Sequence, residues 1–364
     1  METFTCHCGN TLFFENTQCV SCNSEVGWCP ACHRISGLLV SPDGIYHCGY
    51  TACQALLVKC HNYAVEQVCN RCFPAGNHNQ SVTQLCDYCR YNDTIPDLSV
   101  EGNRERWYRL ETGKRRLLFT LDLLGLPYGK AGDGIQPALS FDFKADVHPS
   151  GNQWHTMGDH EQVFTGHHNG KITINLREAE DVEREKLRVS FGEAHRTIIG
   201  HFRHEIAHYY WEMLIQDKQE EEFNRIFGDY QQPTYAQALE RHYREGPPSN
   251  WQARFISVYA TMHPWEDFAE TFAKYLAIVS VLDTARYTGI GEGIDPAKDD
   301  IAIMIRSYQR LGLGLNEMNR AMGLLDLMPE VLVPPVIEKL QYIHQIILEA
   351  RSGGSTRSVT RLPT

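Results

Sequence analysis

The stretch His204-Glu205-Ile206-Ala207-His208 places two histidines and a glutamate on one turn of a predicted helix. Residues four apart lie on the same helical face, so His204 and His208 can bind one metal ion together. Glu205 lies beside them, where it can accept a proton from a water that zinc has acidified. Apolar residues recur at helical spacing around the motif without a proline, which predicts a helix over residues 193–216. The motif is short, and a catalytic zinc site also needs a third protein ligand.

The best candidate for that ligand lies in a second apolar-periodic segment, which runs from about His263 to about Leu282. Pro264 suits a helix start, because its missing N–H costs little in the first turn. Glu266 and Glu270 form an i, i+4 pair of like charges, which repel each other on one helical face. The pair is explained if one glutamate binds the metal and the other hydrogen-bonds a metal-bound histidine. The alternative is a solvated acidic first turn, since Asp and Glu favour that position.

The order of HExxH, a long gap and E-x-x-A-E resembles the gluzincin metallopeptidases, notably those of the lethal-factor type. The resemblance implies that Glu266 is the third zinc ligand, which leaves Glu270 to orient a metal-bound histidine. It also implies that Tyr259, seven residues before Glu266, stabilises the transition state. Longer phrases around both motifs are similar to a bacterial family of zinc-binding metallopeptidases that carry an N-terminal zinc ribbon. This similarity covers the chain from about residue 6 to about residue 288.

All 13 cysteines lie between Cys6 and Cys89. Pairs at C-x₂-C spacing are typical of structural zinc sites, because the turn directs two thiolates at one metal. Taken in order, the cysteines predict three sites: Cys6, Cys8, Cys19 and Cys22; Cys29, Cys32, Cys48 and Cys53; and Cys86 and Cys89 with two of Cys60, Cys69 and Cys72. In the third site, spacing favours Cys69 with Cys72, whereas the family resemblance favours Cys60 with Cys69. Both alternatives stay open, as does ligation that interleaves the sites.

These motifs together predict zinc as the cofactor, with three structural ions and one catalytic ion. Sites with four cysteines are closed, so they fold the chain and do not catalyse. By analogy, such ribbons present a surface to a protein or nucleic-acid partner. The net charge of −11 argues weakly against a nucleic-acid surface along the whole chain.

Composition is typical of a globular protein. A chain of 364 residues allows two or three domains, and 42% hydrophobic residues suffice for their cores. No stretch approaches 18 uninterrupted apolar residues, so no membrane span is expected. The first residues lack the basic and apolar segments of a signal peptide, and the cysteine spacing indicates metal binding rather than disulfides. A cytoplasmic location is therefore expected.

Local patterns predict the remaining helical elements. The polar segment from Asn92 to Arg106 is typical of a linker, and a helical pattern follows from Trp107 to Leu126. Pro334 and Pro335 begin an amphipathic run that predicts a terminal helix.

Two segments alternate apolar and polar residues and predict strands, namely Ser140 to Val147 and Lys171 to Leu176. In zincin folds, an edge strand beside the HExxH helix pairs with the substrate backbone, and Lys171 to Leu176 is the natural candidate. His167 and His168 lie in the predicted hairpin before it and are expected to be solvated.

The predicted fold class is α+β. Residues 1–95 are predicted to form a small β region of zinc ribbons or knuckles that is stabilised by metal. Residues 96–351 are predicted to form a mainly helical, gluzincin-like metallopeptidase domain with a small sheet. Residues 352–364, which are mainly small and polar, are expected to form a disordered tail.

The predicted function is hydrolysis of peptide bonds in a peptide or protein substrate through a zinc-activated water. Glu205 would be the general base, and Tyr259 would donate a hydrogen bond to the oxyanion. Two alternatives stay open: a hydrolase for non-peptide amides or esters, and a non-catalytic module whose ribbons bind protein or nucleic acid on a zincin scaffold. The presence of Glu205 argues against the latter, because a purely structural zinc needs no general base.

Overall fold

The computed structural model describes residues 1–42, 44–76, 84–146, 163, 165–182, 184, 186, 197–328 and 331–353. Small antiparallel sheets surround the cysteines, and the rest of the chain is mainly helical with one small sheet. The predicted α+β fold class is therefore confirmed. None of the described helices combines the length and the apolar character that a membrane span requires.

The cysteine-bearing region contains a short hairpin, a five-stranded sheet and one turn of helix. In the hairpin, β1 (Phe4–Thr5) pairs with β2 (Thr11–Leu12). Antiparallel pairing links the strands of the sheet, which are, in spatial order, β3 (Val26–Cys29), β4 (Arg34–Val40), β5 (Tyr46–Cys48), β6 (Leu56–Lys59) and β7 (Cys72–Pro74). Helix α1 (His61–Ala64) follows β6. These short strands bring cysteines that are distant in sequence close together in space.

The second sheet belongs to the helical part of the molecule. Its strands, in spatial order, are β10 (Gly166–His168), β11 (Lys171–Asn175), β9 (Ser140–Lys144) and β8 (Asn92–Thr94). Strand β9 pairs in parallel with both of its neighbours, and β10 pairs with β11 in the antiparallel direction.

The prediction that Lys171 to Leu176 is the edge strand was wrong. Asn169 and Gly170 adopt positive φ angles of 47° and 76°, so the chain reverses tightly between β10 and β11. Strand β10 therefore covers the outer edge of β11 and becomes the edge strand on the side of the described sheet next to the HExxH helix.

The linker predicted from Asn92 to Arg106 was wrong at both ends, since Asn92–Thr94 is a strand and Asn103 begins a helix. Asn92 begins β8, and its side chain donates a hydrogen bond to Glu111 Oε1 (2.5 Å). Glu111 and Lys114 are fully buried and form an ion pair of 2.9 Å. Asn92 thus helps to satisfy a buried charged pair in the domain core, and composition alone does not distinguish such a residue from a solvated one.

Seven further helices are described: α2 (Asn103–Leu124), α3 (Ile198–Leu214), α4 (Glu220–Phe227), α5 (Tyr235–Glu245), α6 (Pro264–Thr288), α7 (Ile301–Ala321) and α8 (Pro334–Gly353). Helices α2 and α3 lie within a few residues of their predicted bounds, α6 begins as predicted but continues past Leu282 to Thr288, and α8 begins at the predicted Pro334. Residues 193–196, predicted to belong to α3, lie outside the described residues, as do residues 354–364 of the predicted tail.

Helix α2 joins the two parts of the molecule. On one side, a Cβ at Gly113 would lie 2.8 Å from Ile198 Cγ2 of α3, so α2 and α3 approach too closely there for any larger residue. On the other side, Phe119 packs edge-on against Phe14 (5.2 Å between centroids) and Trp28 (6.0 Å) of the cysteine region. The cysteine region is therefore packed onto the helix that supports the HExxH helix.

Candidate metal centres

Two histidines of α3 face the same point. Thr197 caps the helix by accepting a hydrogen bond from the N–H of Gly200 (3.0 Å), which fixes where α3 begins. The ring centroids of His204 and His208 are 4.9 Å apart, and their Nε2 atoms are separated by 3.2 Å. Two imidazole nitrogens at this distance can bind one cation together.

A carboxylate from α6 joins this pair. His263 caps α6 by accepting a hydrogen bond from the N–H of Trp265 (3.2 Å), and Glu266 follows in the first turn. Glu266 Oε2 is 3.0 Å from His204 Nε2 and 3.6 Å from His208 Nε2. A tetrahedral zinc with bonds of about 2.0–2.1 Å separates neighbouring ligand atoms by about 3.3–3.4 Å. The three donor atoms therefore have a spacing that suits a single zinc ion.

The environment of Glu266 also suits a cation. Its side chain is 2% exposed, and its Oε2 atom accepts no hydrogen bond from the described residues. Burial alone would raise the pKa of Glu266, but the neighbouring His208 and His204 lower it below the usual range of a carboxyl. An ionised, buried carboxylate beside two imidazoles is a donor set that zinc prefers.

Two further glutamates lie at this centre. Glu270 Oε1 accepts a hydrogen bond from Nδ1 of His204 (2.7 Å), which leaves Nε2 of that ring to face the metal position. Glu205 is 8% exposed and directly follows His204 on α3. The structure thus brings Glu205 and Glu270 to the same place as the three candidate ligands.

Tyr259 lies at the border of this group, in a 3₁₀ turn that spans Tyr259–Thr261. Its ring centroid is 6.0 Å from that of His204. Burial and the charge of Glu266 raise the pKa of Tyr259 far above the ordinary value, so this hydroxyl keeps its proton and can donate a hydrogen bond.

Sequence reasoning missed two aromatic residues of the centre. The hydroxyl of Tyr235, in α5, donates a hydrogen bond to Glu266 Oε1 (2.9 Å). The ring of Trp265 packs against that of His208, with 3.7 Å between centroids. Thr234 and Gln237 form a capping box, which marks the start of α5 in the sequence, but no sequence signal places that start over α6.

His167 differs from expectation. Its side chain is fully buried in β10, with its ring stacked 6.3 Å from that of His208, and its Nε2 accepts a hydrogen bond from the N–H of Gly170 (3.0 Å). Burial lowers the pKa of His167 to about 3. His168 is exposed, as expected. Neither belongs to a group of converging metal-binding side chains in the described part of the chain.

The cysteines form three groups of four. The members of each group have Sγ atoms within 4.8 Å of one another, and the groups are Cys6, Cys8, Cys19 and Cys22; Cys29, Cys32, Cys48 and Cys53; and Cys60, Cys69, Cys86 and Cys89. The shortest Sγ–Sγ distances are 3.7 Å, as between Cys6 and Cys22, and 3.8 Å, as between Cys69 and Cys86. A tetrahedral zinc with Zn–S bonds of about 2.3 Å separates its sulfurs by about 3.8 Å. These distances suit zinc and are far too long for disulfides.

The third group contains Cys60 rather than Cys72. Backbone N–H groups point at its sulfurs, since that of Cys86 donates to Cys60 Sγ (3.3 Å) and that of Arg71 donates to Cys69 Sγ (3.3 Å). Cys72 lies in β7, which pairs with β6, and it belongs to none of the groups found among the described residues. The geometry therefore favours the alternative implied by the family resemblance over the one favoured by spacing.

Comparisons with known proteins agree with this division. Residues 103–346 match the model of a family described as "Putative zinc-binding metallo-peptidase". The chain belongs to this family. Residues 3–100 match a zinc-ribbon domain. Similar proteins occur in Mycobacterium bovis and Mycobacterium tuberculosis, each 38% identical over 358 residues that cover 96% of both chains, and each is described as uncharacterized. No solved structure matches the chain.

Proposed function

We propose that the protein is a zinc-dependent peptidase that cleaves peptide bonds at the centre formed by His204, His208 and Glu266. The observation that carries the proposal is the convergence of these three donors from two helices, with Glu205 on the same helical turn as the histidines. Three protein donors are typical of catalytic zinc, which keeps one position open, whereas structural zinc is closed by four. Membership of the metallopeptidase family supports the same assignment.

The side chains divide the chemistry between them. Zinc in such a centre supplies a Lewis acid and makes water acidic enough to lose a proton near neutral pH. Glu205 accepts that proton and passes it to the leaving amine. Glu270 holds His204 in the orientation that presents Nε2. Tyr259, whose hydroxyl keeps its proton, donates a hydrogen bond to the oxyanion.

The substrate backbone would pair with the edge of the small sheet. We propose β10 for this role, because of the two edge strands of the described sheet it is the one that lies next to α3, and His167 on it stacks against His208. An extended peptide added to this edge would lie alongside α3, with a peptide bond near the metal centre.

The three cysteine groups and the His/Glu centre together support a total of four zinc ions per chain, three structural and one catalytic. All 13 cysteines are free thiols, and 12 of them converge in groups of four. Cysteines that bind metal instead of forming disulfides support a cytoplasmic location, because disulfides are rare in that compartment.

The test is hydrolysis of a peptide library and of unfolded protein by zinc-loaded wild type and by Glu205→Gln. Because Gln keeps the size and the hydrogen bonding but cannot act as a base, zinc should stay bound while turnover falls about 10²- to 10⁴-fold. Glu221→Gln, an exposed glutamate on α4, is the matched control and should cleave like wild type. Equal cleavage by wild type and Glu205→Gln would contradict the proposal.

A further inference from the structure

Tyr235 contacts the metal centre from outside the motif helices. Its hydroxyl donates a hydrogen bond to Glu266 Oε1 (2.9 Å), while Oε2 of the same carboxylate faces the two histidines. The two oxygens of Glu266 therefore have different partners. In this arrangement Oε2 faces the metal position, while Oε1 is engaged by the tyrosine.

The ring of Tyr235 is held by residues that flank this ligand. It packs edge-on against His263 (5.4 Å between centroids) and Trp265 (5.8 Å). His263 is the N-cap residue of α6, and Trp265 immediately precedes Glu266. Because the same turn of α6 fixes both the ring and the carboxylate, the hydrogen bond between them is preorganised.

Helix α5 is otherwise mostly exposed. Ala238 is its one buried residue, and its remaining residues are exposed or half-buried. Its other ring contact toward the centre is that of His242 with Tyr259, at 6.3 Å. Tyr235 lies at the first position of α5, directly after the capping residue Thr234. The bond to Glu266 is thus a main link between α5 and the centre.

We propose that Tyr235 is a positioning residue, which holds Glu266 as a one-oxygen ligand and fastens α5 over the metal centre. The inference rests on the proposed metal centre and deepens it. Without the hydroxyl, Oε1 is free to approach the metal as a second donor, which would fill part of the open position. Zinc binding would then no longer restrain the motion of α5.

The first experiment measures zinc affinity at this centre by chelator competition on the full chain, comparing wild type with Tyr235→Phe. The phenyl ring keeps the packing against His263 and Trp265, so the fold should be retained and the cysteine sites should keep their zinc. Loss of an outer hydrogen bond to a ligand should weaken binding about 10- to 100-fold. Tyr243→Phe is the matched control, since Tyr243 lies on the same helix, is 68% exposed and should bind like wild type.

The second experiment measures how the metal is coordinated rather than how tightly it is bound. Cobalt at the His/Glu centre has a visible spectrum that depends on the number and geometry of its ligands. Tyr235→Phe should change that spectrum in the direction of a higher coordination number. A site that only bound the metal more weakly, with the same ligands, would not show this change. In hydrogen exchange, metal loading should slow the amides of α5 in wild type but not in Tyr235→Phe.

The inference would be overturned if Tyr235→Phe bound zinc with the affinity of wild type, gave the same cobalt spectrum and still showed metal-dependent protection of α5. None of these measurements uses hydrolysis. If wild type binds zinc but cleaves no peptide, only the proposed function is contradicted. If wild type is an active peptidase and Tyr235→Phe binds zinc normally, only the inference about Tyr235 is contradicted.

Discussion

The cysteine groups and the His/Glu centre suit the same metal but differ in how many ligands the protein supplies to it. Each cysteine group offers four sulfurs within 4.8 Å, so a zinc ion there has no position left for substrate. The centre between α3 and α6 offers three donors, and a glutamate, Glu205, lies beside them on α3. The number of donors and the adjacent base, rather than the metal itself, separate a structural role from a catalytic one.

The two kinds of site also differ in what surrounds them. The third cysteine group is buried against α2, where the Arg115 guanidinium donates to the carbonyl of Val68, and Tyr88 donates to Asp122 (2.6 Å). The His/Glu centre instead borders an exposed helix through Tyr235. Metal loss should therefore unfold the first kind of site and merely disable the second.

The largest effect is expected from Cys89→Ala. Removing one thiolate should release the zinc of the third group and lower the free energy of unfolding by several kcal/mol, since metal binding supplies folding energy there. Because α2 supports α3, peptidase activity should be lost as well. Zinc analysis and urea unfolding measure both effects. Cys72→Ala removes a buried cysteine outside the groups and should keep all its zinc. If Cys89→Ala were as stable as Cys72→Ala, the structural role of this group would be refuted.

A smaller effect, confined to turnover, is expected from Tyr259→Phe. Only a hydroxyl is lost, so zinc content and the unfolding transition should stay unchanged. Removing one oxyanion donor should lower kcat about 10²- to 10³-fold. Steady-state hydrolysis of the best peptide from the library gives this number. A wild-type kcat would remove Tyr259 from the mechanism and leave it as a packing neighbour of His204.

The sequence was sufficient to predict what depends on short spacing. The i, i+4 histidines, the cysteine pairs and the helix starts at Pro264 and Pro334 depend on contacts within one or two turns of chain. The confirmed α+β class follows from the same local patterns.

The sequence was insufficient wherever a distant partner decides the structure. Asn92 forms a strand rather than a linker because Glu111 and Lys114 lie buried beside it. Strand β11 is internal because β10 returns along it, and Tyr235 contacts Glu266 across 31 positions of chain. Spacing cannot predict such pairs, since they depend on tertiary packing.

Zinc content of matched glutamate variants tests the central claim most directly. Wild type should contain four zinc ions per chain, in keeping with its four groups of converging donors. Glu266→Ala should contain three and stay folded, because only the open centre loses a ligand. Glu270→Ala, one turn along the same helix, should still contain four at saturating zinc, with weaker binding at one of them. Four ions in Glu266→Ala with three in Glu270→Ala would contradict the account, because the ligand and its supporting carboxylate would then be exchanged.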